Sequence, residues 1–292
     1  NTHNAARLTK NSNGNVGIGT TNPNEQLTVE GGVSIKELTS APSETSGYGK
    51  IYVLPGIIDS YTKLLLHADG TSASFVDSSG DAKVITANGN ATQSTAQSKF
   101  GGKSGYFDGT GDYLSLADSE DWNFGSGDFT VDTWARFSAQ PGNEDVLAIA
   151  GQFFGTQKSW RLGYYNNSGT YRLWWNTSTN GSNETDFSPA WTANLNQWYH
   201  IAITRTSGTV RAFIDGIQIG SQADSSTYFS STSSLTIGND QVGGVYELNG
   251  YLDEFRISKG IARWTSNFTP PTRQYTKTSL FYKTSSGEEI EL

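Results

Sequence analysis

The stretch QWYHIAITRTSGTVRAFIDGIQIG (Gln197–Gly220) decides the fold. It holds two strand-like runs, WYHIAITRT and TVRAFIDG, with Ser-Gly between them and Asp-Gly closing the second. The same texture extends outward from about Tyr61 to Thr272. KLLLHA, SGYFDG, DYLSL, FTVDTWARF, VLAIAGQ, WRLGYY, YRLWWNT, SLTIG and YLDEFRIS recur at short intervals, separated by Gly, Asn, Asp and Ser clusters. So many short strands without helices predict an all-β, two-sheet sandwich.

Composition agrees. The chain has 292 residues, enough for a sizeable core, with 33 Gly, 12% aromatic and only 16% charged residues. No stretch keeps a helical period beyond two turns. The formal net charge is −8 and no basic patch stands out, which argues against a nucleic-acid partner. No apolar run is long enough to span a membrane as a helix. The chain does not begin with Met, which suggests a fragment or a processed form. Cysteine is absent, which excludes disulfides, thiolate catalysis and Cys-based zinc sites, and His3, His67 and His200 are scattered.

Residues 1–45 differ from the rest. Their apolar residues come in short alternating pairs: Val16 with Ile18, Leu27 with Val29, Val33 with Ile35. Each pair gives a strand one apolar face, and nothing nearby supplies a second layer. Identical chains are expected to cover these faces. The residues GNVGIGTTNPNEQLTVEGGVSI, and NVGIGTTNP above all, resemble the stalk segment that recurs in bacteriophage tail fibres and related trimeric adhesins. That resemblance implies a trimeric β shaft.

A second resemblance covers most of residues 63–258. LLLHADG, DSSG, KFGGKSGYFDGTGDYLSL, DFTVDTWARF, QWYHIAITRTSGTVRAFIDGIQIG and NGYLDEFRIS resemble, in order, laminin-G-like, concanavalin-A-like jelly rolls of the lectin and pentraxin type. The opening of this region looks especially like versions carried by phage structural proteins. The expected architecture is therefore a concanavalin-A-like/laminin-G-like jelly-roll sandwich plus an extended N-terminal β shaft arm.

SGYGKIYV (Ser46–Val53) reads as the first strand of a hairpin with no close partner. TSLFYKTSSGEEIEL at the C-terminus holds an alternating strand, a turn and a second strand. The two orphan segments are expected to pair, with the sandwich inserted between them. The expected organisation is an oligomerising stalk over 1–45, a split hairpin from 46–56 and 277–292, and a jelly roll over 57–276.

Three kinds of chemistry were weighed. Glycosidases on this fold use two carboxylates flanking the bond. Glu144 and Asp145 are adjacent, as are Asp253 and Glu254, so in regular strands each pair splits between opposite faces. No Gly-x-Ser-x-Gly elbow is present, and an enzyme is not expected. The jelly-roll resemblance implies a structural calcium ion near the sandwich edge, with Asp69, Asp253 and a carbonyl of Gly102 as its ligands. The third kind is sugar binding, which needs an exposed aromatic wall with a few polar groups. Trp174 and Trp175 are adjacent in a strand, so one faces away from the interior. With Leu173 and Trp175 given to the core, Trp174, Arg172 and Asn176 share the outer face, and Trp160, Tyr164 and Trp191 extend the patch. Trp134 and Trp198 are read as core residues by the jelly-roll resemblance, His67 as a packed core histidine and His200 as structural.

The resulting expectation is a non-enzymatic virion attachment or decoration protein. It would be a homotrimer built into a fibre or spike beside other virion structural proteins, presenting a lectin-like domain to a cell-surface glycan. A bacterial surface adhesin and a polysaccharide depolymerase are the alternatives.

Overall fold

The computed structural model describes residues 8–18, 22, 27–29, 43, 50–54, 58–240, 246–276, 279–284, 286 and 289–291. The chain divides into two compact units, Asn1–Gly56 with Lys277–Leu292, and Ile57–Thr276.

The first unit holds two small sheets. Strand β1 (Leu8–Lys10) pairs antiparallel with β2 (Val16–Ile18), which pairs in parallel with β3 (Leu27–Val29). The NSNGN sequence makes the β1–β2 turn. Asn11 Oδ1 accepts the N–H groups of Asn13 and Asn15, both at 3.0 Å, and Gly14 takes a φ of 86°. Ile18 is 44% exposed and Leu27 60%. The expected strand at Val33–Ile35 lies outside the described residues. In the second small sheet β4 (Lys50–Leu54) pairs antiparallel with β20 (Ser279–Lys283), placing Ile51 opposite Tyr282 and Val53 opposite Leu280. Strand β21 (Glu289–Glu291) completes it.

The second unit is the sandwich. Its first sheet runs β17 (Ile217–Ala223), β16 (Thr209–Ile214), β15 (Trp198–Thr206), β10 (Phe129–Phe137), β19 (Asn249–Lys259), β8 (Ser104–Asp108) and β7 (Thr92–Ser94). Strand β5 (Thr62–Leu66) shares the β19 edge with β8: β8 pairs with Asn249–Leu252 and β5 with the far end, Phe255–Ser258. The second sheet runs β14 (Thr185–Phe187), β13 (Thr170–Gly181), β12 (Gln157–Asn167), β11 (Val146–Phe154), β18 (Leu235–Ile237), β9 (Tyr113–Leu116) and β6 (Thr86–Asn88). Every strand pairing in the sandwich is antiparallel, and one 3-10 turn spans Glu120–Trp122. The architecture is the all-β sandwich expected from the sequence.

Alternation fills the space between the sheets. Phe129, Val131, Ala135 and Phe137 of β10 face Trp160, Leu162 and Tyr164 of β12 and Leu173 and Trp175 of β13 within one apolar cluster. Its centre is aromatic, with Phe129 stacked 4.3 Å from Phe124 and Trp160 stacked 5.3 Å from Trp175.

Part of the outer face of the first sheet is covered as well. The segment after β19, residues 261–276, runs back across it. Phe268 donates its N–H to Gly216 O at 2.9 Å, and a Cβ on Gly216 would meet Phe268 O at 1.9 Å. Only glycine allows that approach. Ile58 N–H donates to Thr276 O at 3.1 Å, so the two ends of this unit lie side by side.

Candidate functional site

The patch expected around Trp174 does not form an open surface. Trp160 and Tyr164 belong to the core and are fully buried. The Ser168–Gly169 turn, with φ of 48° and 86°, fixes a register in which Leu162 faces Trp175 and Tyr164 faces Leu173. Trp160, Leu162 and Tyr164 therefore all point inward, opposite to Trp174. Trp191 packs partly buried against Tyr164, Phe137 and Tyr199 rather than extending an outer patch.

Trp174 does lie on the outer side, as alternation requires, but is only 6% exposed. The Arg161 guanidinium sits 4.0 Å from its ring centre, and the indole N–H donates to Asp186 at 3.0 Å. Arg161 is itself bounded by Phe153 at 4.2 Å, Asp240 at 2.7 Å and Glu184 at 3.1 Å. Asn176 is fully buried and donates to Asp186. Arg172 is half-buried and donates to Ser188 O at 2.9 Å. These contacts close the patch.

The expected calcium ligands lie around one loop: Asp69 borders Gly101, where an added Cβ would stand 3.0 Å from Asp69 Oδ2, and Asp253 holds the N–H groups of Lys99 and Phe100. Among the described residues no group of three or more His, Asp or Glu side chains is placed to hold a metal ion. Asp69 accepts from Gln274 Nε2 at 2.9 Å, and Gly102 is exposed with open space beside its Cα. Asp253 accepts the backbone N–H groups of Lys99 and Phe100 through Oδ2, at 2.8 and 3.1 Å. Its Oδ1 is buried without a hydrogen-bond partner. Calcium takes six to eight oxygens, so an ion here would draw on backbone carbonyls of the loop around Gly101 as well as on the two carboxylates.

Asp253 and Glu254 correct a second expectation. The register of β10 against β19 shifts between Asp132 and Trp134, and Glu254 takes a φ of 52°. This bulge places both carboxylates off the core side, since Leu252 and Phe255 flank them within the core. Each is 1% exposed. Glu254 Oε1 lies 2.6 Å from His67 Nδ1 and Oε2 accepts the Tyr275 N–H at 2.8 Å. Burial, opposed by the N–H groups of Phe100 and Lys99, pushes Asp253 up to about 7.

Beneath the covering segment lies a buried network. Arg256 donates to Asp132 at 2.9 and 3.2 Å, Tyr275 OH donates to the same carboxylate, and His200 Nε2 lies 3.4 Å away. Burial alone would raise the Asp132 carboxyl, but the Arg256 charge and the His200 hydrogen bond outweigh it and hold Asp132 at about 2. His200 is thus structural, as read from the sequence. The network seats the segment that forms one wall of an open cleft.

That cleft, of about 520 Å³, is lined by Lys99, Phe100, Trp134, Trp198, Asp215 and residues 269–272. Trp134 and Trp198 stand on the outer side of β10 and β15 rather than between the sheets. Trp134 is buried there, as expected, while Trp198 is not, which corrects the reading of Trp198 as a core residue. Trp134 lies edge-on to Phe100, its ring 3.8 Å from Lys99 Nζ, and its indole N–H is buried without a partner. Trp198 remains half-exposed. Trp134 is 5% exposed and covered by Lys99, so the part-exposed Trp198 ring is the aromatic face the cleft presents, beside one cation and one carboxylate.

Residues 108–263 match the family model described as the concanavalin A-like lectin/glucanases superfamily. The chain belongs to that superfamily. No curated protein sequence matches the chain. Solved structures of similar fold include the binding domain of Paraclostridial mosquitocidal protein 1 (TM-score 0.56, 16% identity, 69% of this chain and 50% of that one). The binding domain of botulinum neurotoxin serotype D/C is also similar (0.54, 15%, 70% and 50%). A third is botulinum neurotoxin type C, described as entering cells in dependence on interaction with two ganglioside molecules (0.54, 16%, 70% and 49%). The chain spans about half the length of these structures. At such identity they establish the concanavalin A-like fold alone. No helix among the described residues is long and apolar enough to cross a membrane.

Proposed function

We propose that the protein is a non-enzymatic attachment or decoration component of a virion, a fibre or spike segment whose concanavalin A-like domain binds a cell-surface glycan. The observation that carries the glycan reading is the cleft beside the part-exposed Trp198. A pyranose ring sets its C–H face on an aromatic wall while a few polar groups take its hydroxyls, and this cleft offers both. The fold similarity to toxin binding domains, one of them described with gangliosides, supports the same class of ligand. The reading is non-enzymatic because the one pair of neighbouring carboxylates beside the cleft, Asp253 and Glu254, is buried and bonded into the fold.

The virion context rests on the stalk resemblance of residues 12–45. Trimerisation through the arm is supported by the apolar residues its small sheet leaves exposed, Ile18 and Leu27. The test is a glycan array read with the full chain, repeated with Trp198→Ala. Binding that the variant loses while its melting curve holds supports the reading. An array without binders, or binding indifferent to Trp198, overturns it. Incubation with a bound polysaccharide should release no new reducing ends.

A further inference from the structure

Four strands of the first sheet align flat side chains in one cross-strand row. Tyr106 of β8 faces Tyr251 of β19, Tyr251 faces Arg136 of β10, and Arg136 faces Trp198 of β15. All four are half-buried, and their chain neighbours Phe107, Leu252, Ala135 and Tyr199 belong to the core, so the row lies on the outer face. The first three side chains pack in sequence: the tyrosine rings lie 4.9 Å apart, and the Arg136 guanidinium lies 5.6 Å from the Tyr251 ring. Asn196 Oδ1 accepts from Arg136 Nη1 at 2.9 Å, which fixes the guanidinium in place. Trp198 also lines the cleft, so row and cleft form one continuous surface.

We propose that this row makes the cleft one end of a track for an extended oligosaccharide of at least four pyranose rings, lying across the strands. The inference rests on the glycan reading above and names the form of the ligand. Neighbouring strands are about 4.8 Å apart, so the row spans roughly 14 Å. The strand-to-strand spacing is close to what one pyranose ring adds to an extended chain. Tyr106 and Trp198 offer rings to stack on at the two ends of the row, Tyr251 packs between Tyr106 and Arg136 and holds both in place, and Arg136 brings N–H donors to the middle of the row for hydroxyls or a carboxylate. A compact, branched headgroup would fill the cleft and leave the row unused.

The test is calorimetric titration of the full chain with graded oligosaccharides of two to eight rings, using one neutral series (cello-oligosaccharides) and two acidic ones (hyaluronan and polygalacturonate fragments). Affinity should rise with length up to about four rings and then level off. Tyr251→Ala and Tyr106→Ala should each weaken chains of four rings or more by up to about tenfold, leaving disaccharides unchanged. Tyr251→Phe, which keeps the ring, should hold the affinity. Trp198→Ala should weaken every length. Affinity independent of length, or a length dependence untouched by both tyrosine-to-alanine variants, overturns the track while leaving the cleft in place. Failure of every series to bind at any length overturns the glycan reading, and the track with it.

Discussion

Lys99 donates its backbone N–H to Asp253 at 2.8 Å across 154 positions of sequence. The contact ties a loop that lines the cleft to the central strand β19. It also sets a pH dependence. Burial first, and the Glu254 charge in addition, raise Asp253 from 3.8 to about 7 despite the two N–H donors. A carboxyl raised in the folded state favours the protonated form. Its contribution is therefore most favourable at and below pH 4, declines as pH rises toward 7, and is constant above. Asp253→Asn removes the titration and keeps an acceptor for Lys99 and Phe100. Relative to wild type, the variant should gain roughly 4 kcal/mol between pH 4 and pH 8. Urea unfolding of both proteins at the two pH values measures the difference; an unchanged gap would refute the assignment.

Arg256 and Asp132 are both fully buried, and their pairing anchors Tyr275 and with it the segment over the first sheet. Removing one charge leaves the other without compensation in a dry site. Arg256→Met should cost about 3–5 kcal/mol in denaturant unfolding. It should also raise the Asp132 carboxyl from its depressed position, so part of the loss should be recovered in acid, where protonated Asp132 no longer needs a counter-charge. A loss below 1 kcal/mol would mean that the segment holds without the pair.

Trp174 and Trp198 make opposite predictions. Trp174 is boxed in by Arg161, Tyr165 and Asp186, so Trp174→Ala should lower stability by about 3 kcal/mol and leave glycan affinity unchanged. Trp198→Ala should do the reverse. Parallel melting curves and titrations on the two variants distinguish them, and an affinity loss in Trp174→Ala would reopen the second sheet as a binding face.

The strands were legible in the sequence because alternation and turn chemistry act locally. FTVDTWARF is a strand with the core face its alternation requires, and YLDEFRIS is a strand whose core face shifts by one at the bulge. The site was less legible, for two physical reasons. The residues IARWTSNFTPPTRQY, rich in breakers, carry no strand pattern, yet they cover part of the outer face of the first sheet. That buries both faces of β10 and β15 along most of their length, up to the ends marked by Arg136 and Trp198, so parity cannot separate Trp134 from the core. A bulge also leaves no mark in sequence, and it alone sets Asp253 and Glu254 on one side. One error was avoidable. Counting back from the Ser-Gly turn at Ser168–Gly169 gives Trp160 and Tyr164 the same parity as Trp175, which places them inside.

The arm should govern oligomeric state. Sheets as small as β1–β2–β3 are marginal alone, and this one leaves Ile18 and Leu27 largely exposed. The full chain should sediment as a trimer at micromolar concentration, and deletion of residues 1–45 should weaken or abolish that state. A full-length monomer would remove the shaft reading and leave the sandwich unaffected.

Strand β4 finds its partner in β20, more than 200 positions later, with Val53 opposite Leu280 and Ile51 opposite Tyr282. Each segment alone would expose a row of unpaired backbone groups. Closing so long a loop costs little when the loop folds by itself and its ends meet, and Ile58 N–H donating to Thr276 O brings those ends together. Residues 57–276 should therefore fold as an isolated fragment with the melting behaviour of the sandwich in the full chain, and should retain glycan binding. Conversely, replacing 57–276 with a Gly-Asn turn should convert β4 and β20 into an ordinary hairpin. The shortened chain should stay soluble and oligomeric and bind no glycan. Solution NMR of the shortened chain would show cross-strand contacts between the residues flanking the new turn. Aggregation of that chain, or a fragment 57–276 that unfolds without its flanks, would show that the two units depend on each other for folding.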